Sequence, residues 1–240
     1  MLLECKNISK AFKSENVLNN LSFYLEEHKT LSILGKSGCG KTTLLKIISG
    51  IIQTDNGDIY LRGNRINDIP VNKRNIVYLY QEPLLFPHLN VFENIAFSLR
   101  LKKIDDQLVR TKTDEMIEHL ELTEQKVKMP HQLSGGQKQR AAFGRALIIN
   151  PVLLLLDEPF GNLDSSTRES MQNFYSKIAN EYKITSIFVT HDLKEAIIMG
   201  DKIGLMEKGK LTIFNYVDDF INHPDTGVSK EIDFWKKLRN

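Results

Sequence analysis

Apolar positions cluster in short, strand-length runs near both ends of the chain, and the middle is more polar and follows a helical period. Leu3 to Ile8, Val17 to Leu25, Ile59 to Leu61 and Ile76 to Tyr80 read as strands, and Asp55-Asn56-Gly57-Asp58 reads as a turn. Thr30 to Leu34 is a further short strand, followed after a glycine-rich interval by an apolar-rich helix from Thr43 to Ile48. From Glu82 to Asn150 the pattern becomes helical, with Asn90 and Glu93 at capping-box spacing ahead of a helix ending near Leu101. Buried-strand patterns return at Val152 to Leu156, Thr185 to Val189 and Lys202 to Met206, separated by helix-length stretches. Alternation of this kind predicts an α/β fold with a doubly wound, mainly parallel sheet. The expected layout is one domain over 1–240. Its core lobe is built from 1–81, including an antiparallel β subdomain, and 151–216. A helical subdomain is inserted at 82–150, and a short extension covers 217–240.

Composition narrows the possibilities. With 240 residues and 41% hydrophobic content the chain can bury a sizeable core. The net charge of +2 is the difference between 32 basic and 30 acidic side chains, so no global field points to a nucleic-acid partner. Cys5 and Cys39 are the two cysteines, too few for a metal cluster, and a reducing cytoplasm is the simplest setting. Apolar runs such as Val152 to Leu156 fall far short of the roughly 20 residues that cross a bilayer. Lys6, Lys10 and Lys13 interrupt the N-terminus before any signal-peptide core could form.

The glycine-rich interval carries the first chemical signal. Residues 35 to 42 read GKSGCGKT and fill every fixed position of the phosphate-loop pattern G-x-x-x-x-G-K-[ST]. Gly35, Gly38 and Gly40 clear side chains from backbone N–H groups that must turn toward phosphate oxygens, while Lys36, Ser37, Cys39 and Thr43 complete the cradle. Lys41 can reach the β and γ phosphates, and the Thr42 hydroxyl suits Mg²⁺. A plain glycine turn explains the glycines but not the Lys and Thr that follow. The expected class is therefore a P-loop NTPase with a RecA-like core.

Two further segments bear on the same chemistry. In Pro151-Val-Leu-Leu-Leu-Leu-Asp157-Glu158-Pro159 a strand buried on both faces ends in two carboxylates, at the sheet edge where α/β proteins bind ligands. Asp157 would face Mg²⁺, directly or through water, and Glu158 would polarise a water at the γ phosphate. Helix capping by either carboxylate is the alternative reading. In Leu133-Ser134-Gly135-Gly136-Gln137, Ser134 and Gln137 have capping-box spacing for a helix through Ala141, Ala142 and Ala146. Two glycines inside a first turn cost up to about 1 kcal/mol each, so something approaches that backbone closely. An anion site at the helix start is compatible with the cap.

GKSGCGKT, LSGGQ and LLLLDEP, in this order and at these separations, resemble the nucleotide-binding subunit of an ATP-binding-cassette (ABC) transporter, from Phe12 to about Phe214. The resemblance implies a Mg²⁺-dependent ATPase in which Phe12 stacks on adenine, Gln81 touches Mg²⁺ and water, and His191 contacts the γ phosphate. It also implies a head-to-tail dimer with a second copy, in which Ser134, Gly135, Gly136, Gln137 and Asp164 of the Asn162-Leu163-Asp164 loop act on the partner's nucleotide. From the residues alone Phe12 reads as a core aromatic, Gln81 as a surface amide, and Asp164, Asp192 and Glu195 as helix caps. His28, His88, His119, His131 and His223 show no ligand spacing.

The same resemblance implies two separate transmembrane permease subunits and, indirectly, a solute-binding protein, with this chain peripheral on the cytoplasmic side of the membrane. Pro83-Leu84-Leu85-Phe86-Pro87-His88-Leu89 is unusually apolar for an irregular segment and is the expected permease groove, local packing being the alternative. Phe86-Pro87-His88-Leu89 resembles importers of small polar or ionic solutes such as polyamines, ferric iron, sulfate, molybdate and thiamine. The residues after Phe214 are about 25, too few for the regulatory barrel many of those relatives carry. A soluble ABC ATPase acting outside transport shares the site and is the second reading. A GTPase is disfavoured, because Asn72-Lys73-Arg74-Asn75 lacks the aspartate that reads guanine.

Overall fold

The computed structural model describes residues 1–13, 15–226 and 228; the rest of the expected extension 217–240 lies outside the described residues. The chain forms two compact units, Met1–Arg74 together with the chain from Lys183 onward, and Asn75–Tyr182.

The first unit holds two groups of strands. β1 (Leu3–Phe12), β2 (Glu15–Leu25), β4 (Asn56–Leu61) and β5 (Asn64–Arg65) form an antiparallel sheet in the order β2-β1-β4-β5. This is the antiparallel β subdomain expected from the sequence, with longer strands than the apolar runs suggest. The turn expected at Asp55 to Asp58 is instead the start of β4. Gly57 has φ 91°, and a Cβ there would lie 2.4 Å from the Lys6 carbonyl oxygen. The register slips at this point, from Lys6 opposite Asp58 to Ser9 opposite Asn56: Asn7 and Ile8 of β1 face the single Gly57, so Asn-Gly-Asp lies within a strand, opposite a bulge of β1.

The second strand group of this unit combines β3 (Thr30–Leu34), β8 (Ser186–Thr190), β9 (Lys202–Glu207) and β10 (Lys210–Phe214). β3 lies between β8 and β9 and runs parallel to both, while β10 pairs antiparallel with β9. Ile33, Ile187, Phe188, Val189 and Ile203 are completely buried, as both-face coverage of parallel strands requires. Helix α1 (Lys41–Ser49) follows β3 and buries Leu44, Leu45, Ile47 and Ile48. Its C-terminus ends at Gly50 and is held by the buried Arg74. That guanidinium donates to the carbonyls of Ile48 (2.9 Å), Ile47 (3.3 Å), Ile69 (2.7 Å) and Asn67 (2.9 Å). Burial lowers the pKa of Arg74, and four carbonyl acceptors take the place of a carboxylate partner.

The second unit pairs β6 (Ile76–Leu79) in parallel with β7 (Leu153–Asp157). Leu153 to Leu156 are fully buried, each worth roughly 2–5 kcal/mol against truncation to Ala. Residues 82–150 are less helical than expected. After an irregular stretch to Asn90 come α2 (Val91–Leu101), α3 (Asp106–His119) and α4 (Gly135–Leu147). Asn90 caps α2 through the Glu93 N–H, but the Glu93 carboxylate pairs with Arg100, so the expected capping box is half formed. Helix α5 (Ser165–Glu181) follows β7, and Phe143, Phe160 and Tyr175 form its aromatic core with α4. In the first unit α6 (Leu193–Met199) follows β8 and α7 (Val217–Asn222) follows β10, packing Phe220 against Phe214. Strand–helix alternation thus has the α/β character expected. No described helix is long and apolar enough to cross a membrane.

Candidate functional site

Leu34 and Thr190 are opposite one another in the parallel β3–β8 ladder, so the chain leaves both strands at the same end. Gly35 and His191 are the first residues beyond, and the Gly35 N–H still reaches the Thr190 carbonyl at 3.3 Å. Topology alone therefore brings the phosphate loop beside His191. Both line a cleft of about 1080 Å³ with Glu15, Asn16 and Val17 of β2.

The loop is shaped by steric crowding. A Cβ at Gly35 would meet the Met206 carbonyl at 2.5 Å, and one at Gly40 would meet the Val17 carbonyl at 2.9 Å. Gly40 also has φ 111°, outside the range of ordinary L residues, and it stands at the N-cap of α1 with no side-chain cap. By contrast α2 to α6 are all capped by a side chain, Asn90, Asp105, Ser134, Asp164 and Asp192 respectively. The dipole of α1 therefore meets the loop without a competing side-chain oxygen. Lys36, Ser37 and Gly38 are exposed, while Cys39, Thr42 and Thr43 are half-buried. Lys41 is only 5% exposed, and its ammonium donates to the carbonyls of Gly35 (2.7 Å) and Lys36 (3.2 Å). A buried cation is thus kept inside the curve of the loop.

Phe12 ends β1 with 44% of its surface exposed, so it is not a core aromatic. Lys10 Nζ lies 5.5 Å from its ring centroid, and Lys10 and the Ala11 N–H are both held by Asp55. His191 is exposed. Asp192 caps α6 through the N–H groups of Lys194 and Glu195. The expected Glu195 cap is corrected: its carboxylate turns inward and accepts the Thr190 hydroxyl at 2.6 Å.

In the second unit Asp157 and Glu158 close β7. Asp157 is 9% exposed, and its Oδ2 accepts the Tyr78 hydroxyl at 2.6 Å. Burial first, and the bond to Asp157 second, push the Tyr78 phenol above its ordinary pKa. Glu158 has φ 46°, a left-handed conformation costing a non-glycine residue about 1 kcal/mol or more, and the following Pro159 restricts it further. Gln81, just beyond β6, donates from Nε2 to Asn162 Oδ1 at 3.2 Å, so it is tied to the loop after β7.

Ser134 forms the full capping box: its hydroxyl accepts from the Gln137 N–H (3.3 Å), and Gln137 Oε1 accepts from the Ser134 N–H (3.0 Å). The close neighbour expected at the two glycines belongs to the same chain. A Cβ at Gly135 would stand 3.3 Å from Leu163, and one at Gly136 would stand 3.0 Å from Thr167. The segment 134–137 is thereby packed against the start of α5. There Asp164 accepts from the Thr167 N–H and the Ser166 hydroxyl, bonds that hold its carboxyl well below the usual range.

Two residues that the sequence reading passed over organise the apolar segment 83–89. Asn94, fully buried on α2, accepts the Phe86 N–H at 2.8 Å and donates to the carbonyls of Leu89 (2.8 Å), Asn90 (3.0 Å) and Phe86 (3.2 Å). Arg145 of α4 donates to the Leu84 carbonyl and lies 4.8 Å from the Phe86 ring centroid. Burial lowers its pKa. Leu84 itself stays 53% exposed. The available signal for Asn94 was an amide within the apolar stripe Val91, Ile95, Leu99. Tyr78 had none, because its partner Asp157 comes from a different strand and no local pattern links the two.

Among the described residues no group of three or more His, Cys, Asp or Glu is placed to hold a metal. Thr42 in the first unit and Asp157 in the second each carry a hard oxygen donor, the chemistry Mg²⁺ prefers, an ion that takes one or two side chains and completes its shell with phosphate oxygens and water.

Comparison with known proteins bears on this chemistry directly. A profile of the family described as ABC transporter matches residues 18–161. The spermidine/putrescine import ATP-binding protein PotA of Clostridium novyi (strain NT) is 40% identical over 223 residues, which are 93% of this chain. The chain spans 64% of that relative's length. A solved dimeric ATP-binding cassette, in a post-hydrolysis state bound to ADP and Pi, matches with a TM-score of 0.78 at 31% identity. That match covers 89% of this chain and 98% of the other.

Proposed function

This chain belongs to the ABC transporter family and has its P-loop NTPase fold, and we propose that it is the ATP-hydrolysing subunit of an importer. The observation that carries the reading is the phosphate loop: an uncapped α1 N-terminus, crowding that admits only glycine at 35 and 40, and a buried Lys41 ammonium, in a loop whose residues 35–39 line one cleft with His191. On binding, the loop N–H groups would take the phosphate oxygens, and Lys41 would exchange its carbonyl partners for the β and γ phosphates. Phe12, an exposed aromatic at the end of β1, would stack on the adenine ring.

Thr42, Gln81 and Asp157 would hold Mg²⁺, Asp157 directly or through water. Bound there, the ion draws charge from the phosphate oxygens. Glu158 would orient and polarise the attacking water, and His191 would support the γ phosphate, giving ADP and phosphate. In a head-to-tail dimer, Ser134, Gly135, Gly136 and Gln137 at the α4 N-terminus, with Asp164, would close over the nucleotide of the partner subunit. We read 82–150 as the helical subdomain that carries this edge, and 1–81 with 151–216 as the nucleotide-binding core.

Closure would drive two separate permease subunits through the segment 83–89, with this chain peripheral on the cytoplasmic side of the membrane. The 40% identical relative is named for spermidine and putrescine import, which favours a polyamine among the small polar solutes and a solute-binding protein as upstream partner.

Glu158→Gln tests the composite site, since it keeps shape but removes the carboxylate. With ATP the variant should accumulate as a dimer by light scattering, ADP should not produce that dimer, and adding Ser134→Arg should abolish it. Normal turnover by Glu158→Gln, independent of protein concentration, would overturn both the role of Glu158 and the shared site.

A further inference from the structure

We propose that Tyr78 is a positioning residue for divalent-cation binding, acting through Asp157. The inference rests on the reading of Asp157 as a Mg²⁺ ligand and adds a residue to it. Tyr78 is opposite Leu155 in the parallel β6–β7 ladder, so its phenol reaches along β7 toward the strand end. There its hydroxyl donates to Asp157 Oδ2 at 2.6 Å, within the range of a charge-assisted O–H···O⁻ bond.

The ring that carries this hydroxyl is itself braced. Tyr80 follows directly after β6, and the Tyr78 and Tyr80 ring centroids are 4.6 Å apart. A braced donor on one oxygen fixes the plane of the carboxylate and commits one lone-pair direction of Oδ2. The carboxylate is then presented to a cation in one orientation, instead of sampling its broad χ2 range. Partners of this kind around a ligating side chain typically govern metal affinity by 10–100-fold.

Tyr78→Phe removes the hydroxyl and keeps the ring against Tyr80. The measurement is the affinity for a non-hydrolysable ATP analogue, taken once with Mg²⁺ and once in EDTA, for wild type, Tyr78→Phe and Asp157→Asn. Tyr78→Phe should lower the Mg²⁺-dependent gain in affinity by about tenfold and leave the EDTA value unchanged. Equal losses in both conditions would mean a purely structural role and overturn the inference. A wild-type gain in Tyr78→Phe beside a lost gain in Asp157→Asn would overturn it while leaving the metal role of Asp157 intact. If neither variant changed the gain, both would fall.

Discussion

Asn94→Ala would cut the tether of the segment through which, on the reading above, movement leaves this subunit. Residues 83–89 lie in no helix or strand, and their own backbone bonds are few, Leu85 N–H to Pro83 and Leu89 N–H to Phe86. Asn94 supplies the Phe86 acceptor and shares two N–H donors among the carbonyls of Leu89, Phe86 and Asn90. Three bonds to the segment at about 1 kcal/mol each give roughly 3 kcal/mol, or about a 100-fold larger open population. Arg145 still holds the Leu84 carbonyl and the Phe86 ring, so the segment should loosen without detaching. Hydrogen exchange followed by mass spectrometry should show amides 84–89 exchanging roughly 100-fold faster, and global stability should fall by no more than the same roughly 3 kcal/mol, since the unfolded chain lacks these bonds too. ATP hydrolysis by the isolated chain should persist while transport in the assembled complex falls. Wild-type exchange over 84–89 in Asn94→Ala would refute the tether.

Lys41→Ala should abolish measurable turnover and weaken ATP binding, read by fluorescent-nucleotide titration, since the buried ammonium at the loop is the cation removed. Gly57→Val should destabilise by more than about 3 kcal/mol in urea, because φ 91° and a 2.4 Å approach to a backbone oxygen both oppose a side chain. For Asp164 the folded pKa is depressed, by the Thr167 N–H first and then the Thr167 and Ser166 hydroxyls. Its contribution to stability is therefore present above the unfolded value of about 4 and is lost as pH falls below it. The stability gap between wild type and Asp164→Ala should be constant above about pH 5 and shrink in acid, measured by urea denaturation.

How legible these features were depended on whether a residue type has one use or several. The uninterrupted run Val152 to Leu156 admits one physical answer, and Leu153 to Leu156 are indeed sealed in a parallel pair. Ser134 and Gln137 close the capping box that their spacing predicts. Asn56-Gly57-Asp58 failed as a turn because a turn and a strand pressed against a bulged neighbour both call for glycine, and only pairing with β1 separates them. Gly135 and Gly136 announced a close neighbour without naming it, since Leu163 and Thr167 come from a different helix start. Glu93 and Glu195 matched cap spacing but found stronger partners in Arg100 and Thr190, a competition that no local pattern encodes. Asn94 and Tyr78 act across elements, and their partners are visible only once those elements pack.

The left-handed backbone of Glu158 sets a conflict for laboratory evolution. Glycine or asparagine accepts that conformation at lower cost, so either should raise heat resistance by up to about 1 kcal/mol. Neither supplies a carboxylate at the end of its reach. A library screened for survival at high temperature, blind to turnover, should therefore enrich both residues at 158, and on the role proposed for Glu158 the hardiest descendants would be the slowest at hydrolysis.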